Sequence, residues 1–259
     1  MPKSEHEASN RALRMIAFAF ILAIPCSARG QGGPPMITDD PGTPGNGNWE
    51  INIAWTFEHA GSATVHETPL LDMAYGVGDR VQLKYEVPWI VAHESGLGSR
   101  DGLGNSNFGV KWRFFDAGDD GWRISTFPQI EFRNPGSDSV ERGLAEAGTT
   151  VLLPFQFERA FSLLAINFDV GHVWHSGADD EWFAGIAIGH QASERLEVMA
   201  ELHFDASARI ERSALTLNIG ARCAATEHGT LILSVGRNLH NQLGGHQAVV
   251  GYVGWQLTY

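Results

Sequence analysis

The sequence predicts an all-β fold, a closed antiparallel transmembrane β-barrel of about twelve strands in meander topology. Three observations predict it. Segment after segment alternates apolar and polar residues with period two. The connections between these segments alternate short and long, as in outer-membrane barrels. The N-terminus reads as an export signal.

The signal comes first in the chain, over residues 1–28. Arg11 and Arg14 precede an apolar run from Met15 to Ile24. About ten residues suit a signal h-region and fall short of a membrane-spanning helix. Cys26-Ser27-Ala28 supplies small residues for cleavage, so the mature chain is expected to start near Arg29. Cys26 then leaves with the signal, Cys223 has no partner, and no intrachain disulfide forms. An exported chain without disulfides fits a bacterial envelope protein. Residues 29–47 are rich in Gly and Pro and predict no regular element. They precede the first strand on the periplasmic side and are expected to form a flexible tail, since termini are commonly poorly ordered. The competing expectation is a plug folded into the lumen, with Asp39 and Asp40 meeting basic side chains. Calcium binding by this aspartate pair is rejected, because no loop supplies the oxygen ligands that calcium needs.

The barrel is expected over residues 48–259. Its first strand, NWEINIAWTFEH, puts Trp49, Ile51, Ile53, Trp55 and Phe57 on one face and Glu50, Asn52, Thr56 and Glu58 on the other. A weaker alternation follows from Val65 to Tyr75. In RVQLKYEVPWIV, Val81, Leu83, Tyr85, Val87, Trp89 and Val91 oppose Arg80, Gln82, Lys84 and Glu86. In GNSNFGVKWRFF, Phe108, Val110, Trp112 and Phe114 oppose Asn107, Lys111 and Arg113. The same reading covers Trp122 to Phe132, Val151 to Phe157, Leu164 to Trp174, Trp182 to Ile188, Leu196 to Phe204, Leu215 to Ala221, Leu231 to Val235 and Val249 to Tyr259. Many of these segments exceed the ~5–6 residues usual in globular strands and approach the ~9–11 of tilted membrane strands. Aromatics such as Trp49, Trp89, Trp112, Phe132, Trp174, Trp182, Trp255 and Tyr259 stand near the ends of the apolar faces, where a bilayer places its girdles.

With both termini periplasmic, the turns around 76–79, 116–121, 158–160, 192–194 and 225–229 are short. The stretches 93–102, 134–148 and 238–247 are the long external loops. The last strand must pair with the first, since an open edge in lipid strands its backbone polar groups.

Composition excludes several classes. The chain has 259 residues, with 30 Asp+Glu against 18 Lys+Arg and a formal charge of −12, so it has no electrostatic case for nucleic acid. Two Cys exclude a disulfide framework or a cysteine-rich zinc module. Plentiful aromatics exclude disorder.

The segments ITDDPGTPGNGNWEI (37–51), GDRVQLKYEVPW (78–89), GLGNSNFGVKWRF (102–114) and LLPFQFER (152–159) resemble the MetA-pathway of phenol degradation family, a group of outer-membrane β-barrels described as transporter-like. The resemblance runs from about Ile37 to Tyr259. It implies passage of phenolic or other aromatic compounds and brings no catalytic residues.

If the apolar face meets lipid, the other face lines the lumen. Basic side chains gather early in the barrel: Arg80, Lys84, Lys111, Arg113, Arg123 and Arg133. Acidic ones gather later: Glu158, Asp169, Glu181, Glu197, Glu201 and Asp205. In a meander these become two opposed walls, and their transverse field would select small polar or zwitterionic solutes. The competing expectation is that the same residues form ion pairs that hold a narrow barrel shut. A lipid-acting enzyme is weighed on GHVWHSGADD (171–180), but His175 and Ser176 point to opposite faces of a strand, and His172 and Ser176 lie about 13 Å apart along one. A surface metal site from His93, His240 and His246 would need their loops to converge. No cofactor, catalytic residue or metal is expected. The partners expected are outer-membrane lipid, the assembly machinery engaged through the C-terminal strand YVGWQLTY, and a small-molecule solute.

Overall fold

A computed structural model describes residues 33–118, 121–244 and 246–259. The expected signal and its cleavage site lie outside these residues. Fourteen strand segments form one antiparallel sheet. They are β1 (Trp49–Ala60), β2 (Ala63–Val77), β3 (Val81–Glu94), β4 (Gly98–Leu103), β5 (Ser106–Asp116), β6 (Trp122–Thr126) and β7 (Gln129–Phe132). The rest are β8 (Thr150–Ala160), β9 (Leu164–His175), β10 (Glu181–Ser193), β11 (Leu196–Ser207), β12 (Ser213–Ala224), β13 (Gly229–Asn241) and β14 (Ala248–Thr258). β1 pairs with β14 from Glu50↔Thr258 to Ala60↔Ala248, and this seam closes the barrel.

Two barrel strands are interrupted, so the fourteen segments make a twelve-stranded barrel. β3 pairs with β5 through its first half and with β4 through its second. The interruption at Gly104-Asn105 is held by the Gly104 amide donating to Pro88 O (3.0 Å). β6 and β7 both pair with β5 and with β8. Phe127-Pro128 separates them. Pro128 has no N–H for the ladder, and the Val110 amide still reaches its carbonyl (3.0 Å). The external loop expected at 93–102 is mostly strand, because the end of β3 and β4 form a hairpin there. The longest connection, 133–149, folds back over the barrel mouth. Its Leu144 is buried against Ile90 and Ala92 of β3. Asn134 donates to Gly104 O (2.7 Å) and accepts from Ser106 Oγ (2.7 Å), which ties the loop to the β4–β5 interruption.

The alternation read from the sequence sorts the side chains as expected. Ile53, Trp55, Leu83, Trp89, Phe155, Ile186, Leu217 and Val253 are exposed on the outside. Asn52, Gln82, Lys111, Gln156, Asn167 and Gln256 are buried inside. An apolar exterior around a closed ladder, with a polar interior, is stable only with lipid outside, so the chain is a barrel of the bacterial outer membrane. Trp49 and Tyr75 pack with ring centroids 4.8 Å apart at the short-turn, periplasmic end. Arg159 lies over the Trp122 and Phe161 rings at the same end, its charge carried at headgroup level. His172 sits between Trp174 and Trp182 toward the external end.

Candidate functional site

The candidate site is the lumen, and its main occupant is the chain's own Gly/Pro-rich segment. Residues 33–48 fold into the barrel, which corrects the expectation of a flexible periplasmic tail. The physical reason lies in the polar groups that an extended segment carries. A run with no secondary structure of its own has free N–H and C=O groups, and the charged inner wall satisfies them. The segment turns tightly at its start, where Met36 N donates to Gly33 O and Gly33 N to Thr38 O, both at 2.8 Å. Met36, Thr38, Asp40 and Pro41 are buried. Near the rim the chain passes so close to β2 that a Cβ on Gly76 would lie 1.8 Å from Gly45 O. Only glycine tolerates that approach.

Three sets of contacts anchor the segment. On one wall, the Glu201 carboxylate accepts from Ile37 N (2.9 Å) and Thr38 N (2.8 Å), and Asp169 Oδ2 accepts from Asp39 N (3.1 Å). Further round the wall, Lys111 Nζ of β5 donates to Asp39 Oδ1 (3.1 Å) and Asp40 O (2.6 Å), while Gln156 Nε2 of β8, the cross-strand neighbour of Asp169, donates to Asp39 Oδ2 (2.9 Å). Lys111 also sits over the Phe127 ring, 4.9 Å from its centroid. A third set holds the start of the segment: Ser234 Oγ donates to Pro35 O (2.9 Å), and Arg222 donates to Pro34 O. These contacts reach β5, β8, β9, β11, β12 and β13, so the segment bridges the interior.

The remaining predicted lumen residues divide into those that face inward and those that do not. Lys84 faces inward and is paired with Glu86 (2.7 Å) and Asp72 (3.5 Å). Arg123 pairs with the buried Glu158. Arg113 forms an ion pair with Asp116 (3.1 Å) and donates to Asp79 O near the periplasmic turn. Glu197 stands opposite Arg222 in the β11–β12 register. Asp205 lies 3.2 Å from His203 Nε2. Arg80 and Arg133 are the two corrections. Arg80 is exposed in the turn before β3, where its carbonyl accepts from Arg113 N (2.8 Å). Arg133 lies in the external loop, where it donates to Ser137 O and to Glu141 (2.8 Å). Glu141 is held below the usual carboxylate range, first by a hydrogen bond from its own backbone and then by Arg133. In both cases alternation was extended past the end of a strand, where it no longer fixes direction.

The early wall is therefore an interleaved array. Asp72, Glu86 and Glu158 stand among its bases, and the inserted Asp39 adds a carboxylate from the centre. Sequence reasoning passed over Asp72, Gln156, His203, Asn218 and Arg222 as lumen residues. Each occupies an inward position of its strand, so the alternation itself was the signal for them.

Ser176 Oγ accepts from Thr149 N (2.7 Å), and His175 Nδ1 lies 3.2 Å from Thr150 Oγ1. Among the described residues, no hydrogen bond joins Ser176 to a histidine, and no three His, Cys, Asp or Glu side chains converge as a metal ligand set.

No family model matches the chain, and no curated protein sequence matches it. Solved structures do. The COG4313 outer membrane channel from Pseudomonas putida F1 is 13% identical and superposes with a TM-score of 0.69 over 88% of this chain and 100% of that one. The NanC porin is 9% identical with a TM-score of 0.58, covering 80% of this chain and 98% of its own. The CymD monoaromatic hydrocarbon channel is 8% identical with a TM-score of 0.51, covering 83% and 89%. At these identities the likeness is one of fold: this chain is built as outer-membrane channels and porins are built.

Proposed function

We propose that this protein is an outer-membrane channel for small solutes, and that its own N-terminal segment gates the lumen. The observation that carries this reading is the bridge made by residues 37–40. The N–H groups of Ile37, Thr38 and Asp39 bond Glu201 and Asp169, the Asp39 side chain bonds Lys111 of β5, and Lys111 also reaches Asp40 O. The segment is held by a few polar contacts rather than by strand pairing, so it can leave without unfolding the barrel. The fold shared with channels and porins supports the same reading. The resemblance to the phenol-degradation family supports aromatic compounds as the solutes.

Planar-bilayer conductance of the refolded chain from Arg29 tests this, alongside a variant lacking Gly33–Pro41. The intact chain is expected to conduct weakly and intermittently, and the shortened chain steadily. Added phenol or benzoate should block the steady current if aromatic solutes enter. A shortened chain that folds and stays silent would point instead to a closed structural barrel.

A further inference from the structure

The lipid-facing wall changes character at its external end, in the sector from β13 to β4. The ladder sets Arg237, Val249, His59, Thr64, His93 and Ser99 in one row across β13, β14, β1, β2, β3 and β4. The row alternates in step with the exposed Val235, Val253, Trp55 and Trp89, so it points away from the lumen. Arg237, His59 and His93 are themselves exposed. From Trp49 at the periplasmic end to His59, the strand climbs about 25 Å along the membrane normal at ~3.3 Å per residue and ~40° tilt, the height of the apolar band of such barrels. The row therefore stands at the level of the outer headgroups. The periplasmic ends of the same strands carry Trp49, Tyr75, Leu83 and Trp255 instead.

The polar groups of the row are set as donors. His59 Nδ1 and Thr64 Oγ1 lie 2.8 Å apart, and His93 Nδ1 and Ser99 Oγ 3.0 Å apart. In each pair the hydroxyl occupies Nδ1 and leaves Nε2 for an outside partner. One step nearer the membrane, Trp55 Nε1 bonds His66 Nδ1 (3.2 Å). An indole only donates, so the His66 proton is on Nε2. Arg237 Nη2 donates to Gln247 Oε1 (3.1 Å) rather than to a carboxylate, and the rest of its five-donor fork faces outward. One carboxylate, Asp101 of β4, also points outward, beside Val91 and two strands beyond His66. It stands at the far end of the row, so the Arg237 end carries the positive charge. Arg237 and His59 are two strands apart, about 10 Å, and so are His59 and His93.

We propose that this row docks the phosphorylated disaccharide headgroup of lipopolysaccharide, the glycolipid of the outer leaflet. Its phosphates take the Arg237 guanidinium and the imidazole Nε2 edges, and its acyl chains lie on Phe57, Val91 and Val235 below them. Phosphate oxygens accept strongly from a guanidinium fork, and basic side chains beside a membrane span select anionic headgroups. A zwitterionic phospholipid brings its own ammonium to its phosphate and gains less from Arg237. A phosphorylated disaccharide brings no cation, and it is broad enough to use groups spread over several strands. The proposal rests on the barrel's place in the membrane and is independent of the channel reading.

Native mass spectrometry of the detergent-folded chain tests it, with diphosphoryl lipid A, phosphatidylethanolamine, phosphatidylglycerol and inorganic phosphate as probes. Lipid A should bind at least about tenfold more tightly than phosphatidylethanolamine, and millimolar inorganic phosphate should not displace it. Arg237→Leu, and His59→Leu combined with His93→Leu, place apolar side chains on a lipid-facing wall. Each variant should weaken lipid A by about tenfold or more and leave phosphatidylethanolamine unchanged. Tyr75→Leu, at the periplasmic end of the same face, should leave lipid A binding as it is. Should the leucine variants fail to fold, Arg237→Gln makes the same test by removing the charge alone. Lipid A bound no more tightly than phosphatidylethanolamine overturns the proposal, as does unchanged lipid A affinity in the row variants. Phosphatidylglycerol bound as tightly as lipid A would reduce the row to a general anionic surface, and displacement by inorganic phosphate would make it a free-anion site; either result overturns the docking of this headgroup. A barrel that holds lipid A and never conducts would sink the channel reading alone.

Discussion

Two stretches of the lumen wall, which adjoin where Gln156 of β8 pairs with Asp169 of β9, hold the inserted segment by different chemistry. The β9–β11 side holds main chain: Glu201 and Asp169 accept from the amides of Ile37, Thr38 and Asp39. The β5–β8 side mainly holds a side chain: Lys111 and Gln156 bond the Asp39 carboxylate. Every non-proline residue brings an amide, so the first side recognises the path of the segment. The second recognises its sequence. A charged wall thus does two jobs. Glu201 and Asp169 fix where the segment lies, and the contacts of Lys111 and Gln156 with the Asp39 carboxylate fix its register.

Breaking the main-chain side should have the largest effect. Glu201→Ala leaves the Ile37 and Thr38 amides and Asn218 Nδ2 without their common acceptor. Each stranded donor costs about 1–3 kcal/mol where water does not replace the lost bond. The held state should lose several kcal/mol, and single-channel recordings should show an open fraction raised by at least about tenfold for each 1.4 kcal/mol lost. An open fraction equal to that of the parent would mean that the main-chain anchors do not close the channel.

Lys111→Ala tests the side-chain side and should rank second. It leaves the Asp39 carboxylate without its cation and removes the donor to Asp40 O. Stranding one partner of a fully buried ion pair costs ~3–5 kcal/mol, and Asp39 is one-quarter exposed, so the loss here is smaller. The open fraction should rise less than in Glu201→Ala. Asp39→Asn sharpens the comparison, because it keeps the segment's amides and removes only the charge. If Lys111→Ala opens the channel more than Glu201→Ala, sequence rather than path is what the lumen holds.

The two regions also differ in how much of them the sequence disclosed. The wall was legible because a strand in lipid has one rule, apolar outward and polar inward, and Ile53, Leu83, Ile186 and Val253 obey it. The same rule marked Lys84, Lys111, Glu158, Asp169 and Glu201 as lumen residues. It failed at strand ends, for Arg80 and Arg133, and at interruptions. The run from Trp122 to Phe132 reads as one strand, yet it breaks at Phe127-Pro128, and the apolar Phe127 lies on the inward face with Arg123 and Ser125, 2% exposed. The inserted segment follows no period at all. Its place depends on Glu201 and Lys111, each more than seventy residues away in the chain. Composition alone reads such a stretch as a tail.

The smallest effect is expected where the segment leaves the lumen at the periplasmic rim. There Gly47 N donates to Gly76 O and Gly76 N to Asn48 O, both at 2.9 Å. A methyl group on Gly76 would strike Gly45 O. Backbone cannot yield as a flexible side chain does, so Gly76→Ala must push residues 44–47 off β2. The contacts of residues 37–40 with Glu201, Asp169 and Lys111 lie deeper and do not pass through Gly76. The prediction is therefore a split between two readouts. Cleavage of the segment near the rim by added protease should speed up, while the open fraction in bilayers should rise far less than in Lys111→Ala. If the open fraction rises as much as in Glu201→Ala, the rim and the two walls form one cooperative latch, and the separate roles assigned to the walls are wrong.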